Sequence, residues 1–272
     1  MERLLILIIN MTTNQIKQFK KKIINSSFLA KEGHLGSAFS VLDILWVLYN
    51  EIMRLEIDKK DSSCDDKDFD RFVLSKGHAS LALYAVLAEK GYFSWEELLN
   101  FCQFNSSLGG HPDCNKVSGV EASTGSLGHG FPMAVGLALG AKINKNKGRV
   151  FCLVGDGECN EGTIWESALL SAHHKLSNLC LIVDFNHSTD RALRLGDLAN
   201  KFRSFDWAVT SIDGHNHQEI YTALKENDSN RPRAIIAETI KGHGIKTMEN
   251  EPAWHHRSPT ESEMISMVKE LM

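Results

Sequence analysis

The sequence predicts an α/β fold, a mostly parallel sheet with helices on both faces. Short apolar runs suited to strands recur at 150–154, 179–183 and 234–239. Helix-length segments separate them, the alternation expected of parallel strands joined by crossover helices. Gly155-Asp156-Gly157 follows the first run directly and Asn186 follows the second. If those runs are neighbouring parallel strands, both residues emerge at one edge of the sheet, where α/β folds bind ligands.

The elements follow in order. Helical periodicity begins near Asn14, where Ile16, Phe19, Ile23 and Ile24 share a face. Lys20-Lys21-Lys22 lies among them and reads as a solvated face. A loop is expected over 32–36, and the almost wholly apolar stretch 38–49 reads as a buried helix. A charged surface loop over 58–70 leads to the short strand Arg71-Phe72-Val73-Leu74, which points into Ser75-Lys76-Gly77-His78. Residues 81–89 form a helix stopped by Gly91, and Ser94 followed by Glu97 is a capping-box pattern that opens another. From 109 to 130 the chain is rich in Gly, Ser and His, as in a long functional loop or a linker. A Gly- and Ala-rich apolar helix follows over 131–143, able to pack closely. Helices over 161–175 and 218–226 and a strand over 208–212 complete the pattern, with no internal repeat and no low-complexity tract.

Composition bounds the function. The 272 residues suffice for one large domain or two small ones; hydrophobic content of 43% and charged content of 24% are those of a globular protein. A net charge of −4 gives no electrostatic case for nucleic acid or an anionic membrane. The apolar run 4–9 is too short for a signal-peptide core or a membrane span, and no small-residue cleavage site follows it. Residues 1–10 are expected to be an upstream start or a packed extra segment, and 11–272 the domain proper. The six cysteines, at 64, 102, 114, 152, 159 and 180, form no Cys-x-x-Cys pair. Cys152 and Cys180 lie inside strand-like runs, which reads as buried thiols in a reducing, cytoplasmic setting.

Asp156 and Asn186 are the informative pair. A carboxylate and an amide oxygen, with nearby backbone carbonyls, suit Mg²⁺, which takes its remaining ligands from substrate phosphates and water. Gly-Asp-Gly alone also makes plain turns. Here a strand precedes it and a helix follows, whose backbone N–H groups are positioned for phosphate.

With Asn186 closing the pattern after the 28 residues 158–185, the set resembles the thiamine diphosphate motif. The stretch Glu161-Gly162-Thr163-Ile164-Trp165-Glu166-Ser167-Ala168 is similar to the transketolase version of that helix, not the pyruvate dehydrogenase version. Further transketolase signatures occur in the family's order. They are Ser75-Lys76-Gly77-His78-Ala79, Gly110-His111-Pro112, Ser123-Thr124-Gly125-Ser126-Leu127-Gly128, Ile212-Asp213-Gly214-His215, Lys241-Gly242-His243-Gly244 and Trp254-His255. The resemblance covers residues 14–260. Two positions depart from it: Leu35 follows His34 where the family has Pro, and His129 stands where Gln is common.

The resemblance implies a thiamine diphosphate-binding fold with specific roles. Asp156, Asn186 and the backbone carbonyl of Ser188 would hold Mg²⁺. Gly157 would meet the diphosphate through its backbone, with Lys76 and His78 near the diphosphate and the reacting centre. Gly125 and Leu127 would touch the aminopyrimidine end, and Lys241 would lie near the cofactor. Glu161 matches a buried carboxylate that couples the two cofactor sites of a dimer. His34, His111 and His255 would line the sugar channel, and with His78 they would be the catalytic histidines. Imidazole is the natural proton shuttle near neutral pH, which sugar transfer requires. His129, His173, His174, His187, His217 and His256 read as ordinary surface or core histidines. A zinc reading of His215/His217 or His255/His256 lacks cysteine partners. Gly128 and Gly130 can serve helix entry alone, and Ile212-Asp213-Gly214-His215 can be a simple strand-to-helix turn.

A full-length transketolase is more than twice this long, and its pyrimidine-binding domain holds the other end of the cofactor and most substrate-phosphate contacts. The resemblance therefore implies the N-terminal subunit of a split enzyme, paired with a C-terminal pyrimidine-binding subunit in an α2β2 assembly. It would transfer a two-carbon ketol unit from a ketose to an aldehyde, both sugars or sugar phosphates. The alternatives are a subunit of another thiamine diphosphate enzyme, such as a 2-oxo acid dehydrogenase, and a non-catalytic partner subunit.

Overall fold

The structure of the protein, a computed structural model, describes residues 2–56, 69–190, 192–228 and 230–272, with side chains from Asn14 onward. The loop expected over 58–70 lies almost entirely outside the described residues, as does Cys64.

Five strands form one sheet: β1 (Arg71–Leu74), β2 (Val150–Gly155), β3 (Leu179–Phe185), β4 (Ala208–Asp213) and β5 (Arg233–Glu238). Their order is β1-β2-β3-β5-β4 and every pairing is parallel. All six residues of β2 are buried, because helices cover both faces. The period of two then sorts the side chains. Phe151, Leu153, Cys180 and Ile182 face one core. Val150, Cys152, Val154, Leu179, Leu181 and Val183 face the other. Each fully buried side chain of this kind is worth about 1.5–3 kcal/mol.

The first core is covered by α1 (Glu2–Ala30), α2 (Leu35–Val47), α3 (Ser80–Glu89), α7 (His217–Lys225) and α8 (Glu261–Glu270). The second is covered by α4 (Gly130–Ile143), α5 (Gly162–His173) and α6 (Leu198–Ser204). All thirteen residues of α2 are buried. With the π-turn Leu48–Ile52 that continues it, this segment is apolar and long enough to cross a membrane, yet it is mostly buried in the protein core.

Some expectations change. Helix α1 starts at Glu2, well before Asn14. Lys20 does not sit on a solvated face: it is 4% exposed, and its Nζ donates to the His243 carbonyl at 2.7 Å. Burial lowers its pKa, against the pull of Asp43 and Glu249. Ser94 opens only the 3₁₀ segment Trp95–Asn100 and makes no side-chain cap. The capping box instead starts α8, where Thr260 and Glu263 exchange side-chain-to-backbone bonds.

Candidate active site

The register sets the site. Gly155 pairs with Asp184, so Asp156 and Asn186 leave β2 and β3 close together at the same end of the sheet. Asp156 is 1% exposed; its Oδ1 accepts the Gly157 N–H at 2.7 Å and the Ser188 hydroxyl at 3.0 Å. Asn186 donates its amide N–H to Asp184 at 3.0 Å and to Ser40 at 3.2 Å. Those donations turn its Oδ1 the other way, where it accepts the Ser188 N–H at 3.1 Å. Ser188 thus bridges Asp156 and Asn186. His187 makes the tight turn between them with φ +59°. Its ring bonds Asp190 at 3.1 Å and Glu238 at 3.0 Å.

Behind this trio lies a charge pair that the sequence motifs did not single out. Asp184, fully buried in β3, bonds Lys76, which is 2% exposed and was expected beside the diphosphate. The Lys76 ammonium is therefore engaged within the protein. Ser40 and Thr239 also donate to Asp184. Burial pushes the Asp184 carboxyl up, but Lys76 and the two hydroxyls outweigh it and leave its pKa below the ordinary value. Glu158 is the second missed residue. Its carboxylate accepts from the Ser75 hydroxyl, from Gly128 N–H at 2.9 Å and from Gly155 N–H at 3.3 Å. Burial raises its pKa against those bonds. Acidic residues in a strand or turn beside apolar runs were the available signal for both.

Four predicted histidines converge. The His34 ring lies 5.3 Å from His78, 6.2 Å from His111 and 5.8 Å from His255, centroid to centroid. Burial is the first cause that pushes His34 down to about 4 and His78 down to about 2; neighbouring cations and imidazoles add to it. Lys241 Nζ meets His255 Nδ1 at 2.7 Å. Burial lowers the pKa of both, and nearby Lys76 adds to this in each. A cavity of about 340 Å³ is lined by Asn186, His187, Ser188, Lys241, Asn250, Glu251, Pro252 and His255.

The loop 109–130 supplies the other wall. Ser80 donates to the Gly110 carbonyl at 2.9 Å, and the Tyr84 hydroxyl reaches the carbonyls of Gly109 at 3.0 Å and His111 at 3.2 Å. Gly125 has φ +146°, and a Cβ there would stand 3.0 Å from the His111 ring. A Cβ on Gly77 would lie 2.8 Å from Thr124 Oγ1 and 2.9 Å from Gly125 N. Gly77→Ala is therefore expected to destabilise by about 1–3 kcal/mol and to push Gly125 and Leu127 outward. Its thermal midpoint should fall. Leu127 accepts at its carbonyl from the His129 ring at 3.0 Å.

Glu161 is exposed in this chain, at the start of α5, because no element among the described residues covers that face. The zinc alternative changes character. His215 Nδ1 lies 3.0 Å and His217 Nε2 2.8 Å from the buried Asp43 carboxylate, with His243 Nδ1 3.5 Å away. Ile240 N–H donates to His215 Nε2 at 2.9 Å, which puts the ring proton on Nδ1, facing Asp43. The group is a hydrogen-bonded tie from α2 to the ends of β4 and β5. Burial raises the Asp43 pKa less than the three histidines lower it, so it lies well below the ordinary value.

The family described as the thiamine diphosphate binding domain of transketolase matches residues 11–272. The chain is 36% identical over 264 residues to one subunit of the apulose-4-phosphate transketolase of Phocaeicola vulgatus, covering 94% of this chain and 92% of that one. It is 37% identical to the 6-deoxy-6-sulfo-D-fructose transketolase subunit SqwG of a Clostridium species, covering 88% of each. Human transketolase is 38% identical over 85% of this chain, which spans 37% of that protein. The transketolase structure from Campylobacter jejuni superposes with a TM-score of 0.82 at 31% identity, over 94% of this chain and 43% of its own length. The chain thus spans about two fifths of the solved transketolases and nearly the whole of the separate subunits. By sequence and by fold it belongs to the transketolase family, as its thiamine diphosphate binding domain.

Proposed function

We propose that this chain is the diphosphate-binding subunit of a two-subunit transketolase. One observation carries the reading: His34, His78, His111 and His255 gather beside Asp156, Asn186 and Ser188 at one sheet edge. A site for a 2-oxo acid dehydrogenase has no need of four converging imidazoles. A non-catalytic subunit has no need to gather them.

The donor set fits Mg²⁺. The Asp156 carboxylate, the Asn186 Oδ1 and the Ser188 carbonyl are hard oxygens, and the Asp184–Asn186 bond fixes which end of the amide faces out. When bound, thiamine diphosphate supplies the carbon nucleophile and the electron sink for ketol transfer. The protein does the rest. His34 and His78, uncharged at neutral pH, can accept hydrogen bonds from donor hydroxyls. Lys241 donates to His255 Nδ1, which leaves the His255 proton on Nε2. His111, on its braced loop, is suited to hold a donor hydroxyl. His111→Ala should lower turnover about 10²-fold while cofactor affinity stays within about twofold, measured as kcat against cofactor titration.

A separate pyrimidine-binding subunit, in an α2β2 assembly, is supported by the uncovered face of α4 and α5. Leu169, Leu170 and Ile143 are exposed there, and a groove of about 750 Å³ runs past Gly136 and Gly140. Both glycines leave open space for a close neighbour. The test is co-expression with a candidate pyrimidine-binding chain and an assay of ketol transfer with thiamine diphosphate and Mg²⁺. Full activity of the chain alone would overturn the two-subunit reading, and a complex that binds no cofactor would overturn the catalytic one.

A further inference from the structure

Glu32 and His256 have no part in the site as described, yet both act on His34. The His256 ring lies flat on it, with centroids 4.3 Å apart and planes 12° from parallel. The other imidazoles around His34 are tilted or edge-on. His256 Nε2 bonds Glu32 Oε1, and the same oxygen accepts the Gly33 N–H at 3.0 Å. His34 and Arg257 pair as an isolated parallel bridge, so the two segments lie side by side. One carboxylate therefore holds both the backbone entering His34 and the edge of the ring stacked on it. The three groups also stand close enough to share a cation. Nearly parallel rings, however, aim their nitrogens side by side instead of at one point.

We propose that Glu32 and His256 are a positioning pair for His34: the carboxylate fixes the His256 ring, and that ring is the plate that holds the His34 imidazole at its working angle in the channel. The pair has this role on the reading above, that His34 works on the sugar. Its electrostatics agree. Burial, then His256, His255 and His111, push His34 down to about 4, against Glu32. His78 is the remaining imidazole facing it. Arg257 is turned away, over Trp254 and onto Glu263. Burial raises the Glu32 carboxyl, but the bonds from His256 and Gly33 outweigh it and its pKa falls below the ordinary value. Glu32 therefore stays charged and His256 stays held.

Two readouts test this. Ring-selective ¹⁵N NMR titration of the isolated chain follows His34 without any need for catalysis. Steady-state kinetics of the reconstituted two-subunit enzyme follow kcat, KM and the pH profile. H256A is expected to raise the His34 midpoint by about one pH unit, since a neighbour that holds it down is lost, and to move the acid limb of kcat/KM the same way. E32A is expected to lower kcat about tenfold, with cofactor affinity unchanged. E32Q, whose Oε1 still accepts both hydrogen bonds, should restore most of that loss. Both side chains reach the surface, so unfolding midpoints should match wild type. An unmoved His34 titration in H256A overturns the proposal, as does full kcat in E32A or a loss confined to cofactor affinity. If the wild-type complex shows no ketol transfer, the functional reading fails, while the NMR arm still decides the pairing.

Discussion

Asp156→Ala is expected to abolish Mg²⁺-dependent retention of thiamine diphosphate. The carboxylate is the one charged oxygen in the trio, and Asn186 and Ser188 offer only neutral donors. Loss of a supporting group around a bound metal typically costs 10- to 100-fold in affinity, so loss of the anionic ligand should exceed about 10²-fold. The substitution also frees the Gly157 N–H and the Ser188 hydroxyl, which loosens the turn that would face the diphosphate. Cofactor titration by tryptophan quenching, with and without Mg²⁺, measures the effect. An unchanged, Mg²⁺-dependent affinity would contradict the ligand assignment. Asp156→Asn should recover part of the binding, because one oxygen and its hydrogen bonds remain.

Asp184→Ala is expected to be the most destabilising single change, at about 3–5 kcal/mol, because it strands a buried ammonium. Lys76 would lose its counter-ion, and Ser40, Thr239 and Asn186 would lose their acceptor. Denaturant midpoints check the size. The double variant Lys76→Met with Asp184→Leu should recover most of the loss, since it removes both charges; failure to recover would place the cost in the hydroxyl and amide partners. The pH dependence has a definite sign. The folded-state pKa of Asp184 lies below its unfolded value. The stability it contributes is therefore present above about pH 4 and is lost as pH falls through the folded value. The gap between wild type and Asp184→Ala should narrow only in acid.

Much of this architecture was legible in the sequence because strand pattern and ligand chemistry agree. Apolar runs at 150–154 and 179–183 became β2 and β3, and their register places Asp156 and Asn186 side by side. The four converging histidines were named by family motifs, and their convergence is a tertiary fact that no spacing shows, since residues 34, 78, 111 and 255 are far apart in the chain. Glu158 and Asp184 escaped notice because the partners that hold them most firmly, Ser75 and Lys76, arrive from beyond the end of β1, far away in the chain. Lys20 was misread for the same reason, as its acceptor, the His243 carbonyl, is 223 residues away. His256 looked ordinary because a stacked ring leaves no periodic trace in sequence. The start of α8 failed differently: Thr260 and Glu263 carry a capping box that Ser94 and Glu97 only imitate.

The Asp43 tie has a kinetic meaning. It joins Asp43 to residues 172 and 174 positions away, while Lys20 reaches 223 positions to the adjoining loop. Loop closure over such separations must precede any return in contact energy, so these bonds are expected to form late in folding. Interactions absent from the folding transition state act on the escape rate alone. The three imidazoles on one carboxylate therefore behave as a clasp: they do little to hasten folding, and they lengthen the lifetime of the closed chain.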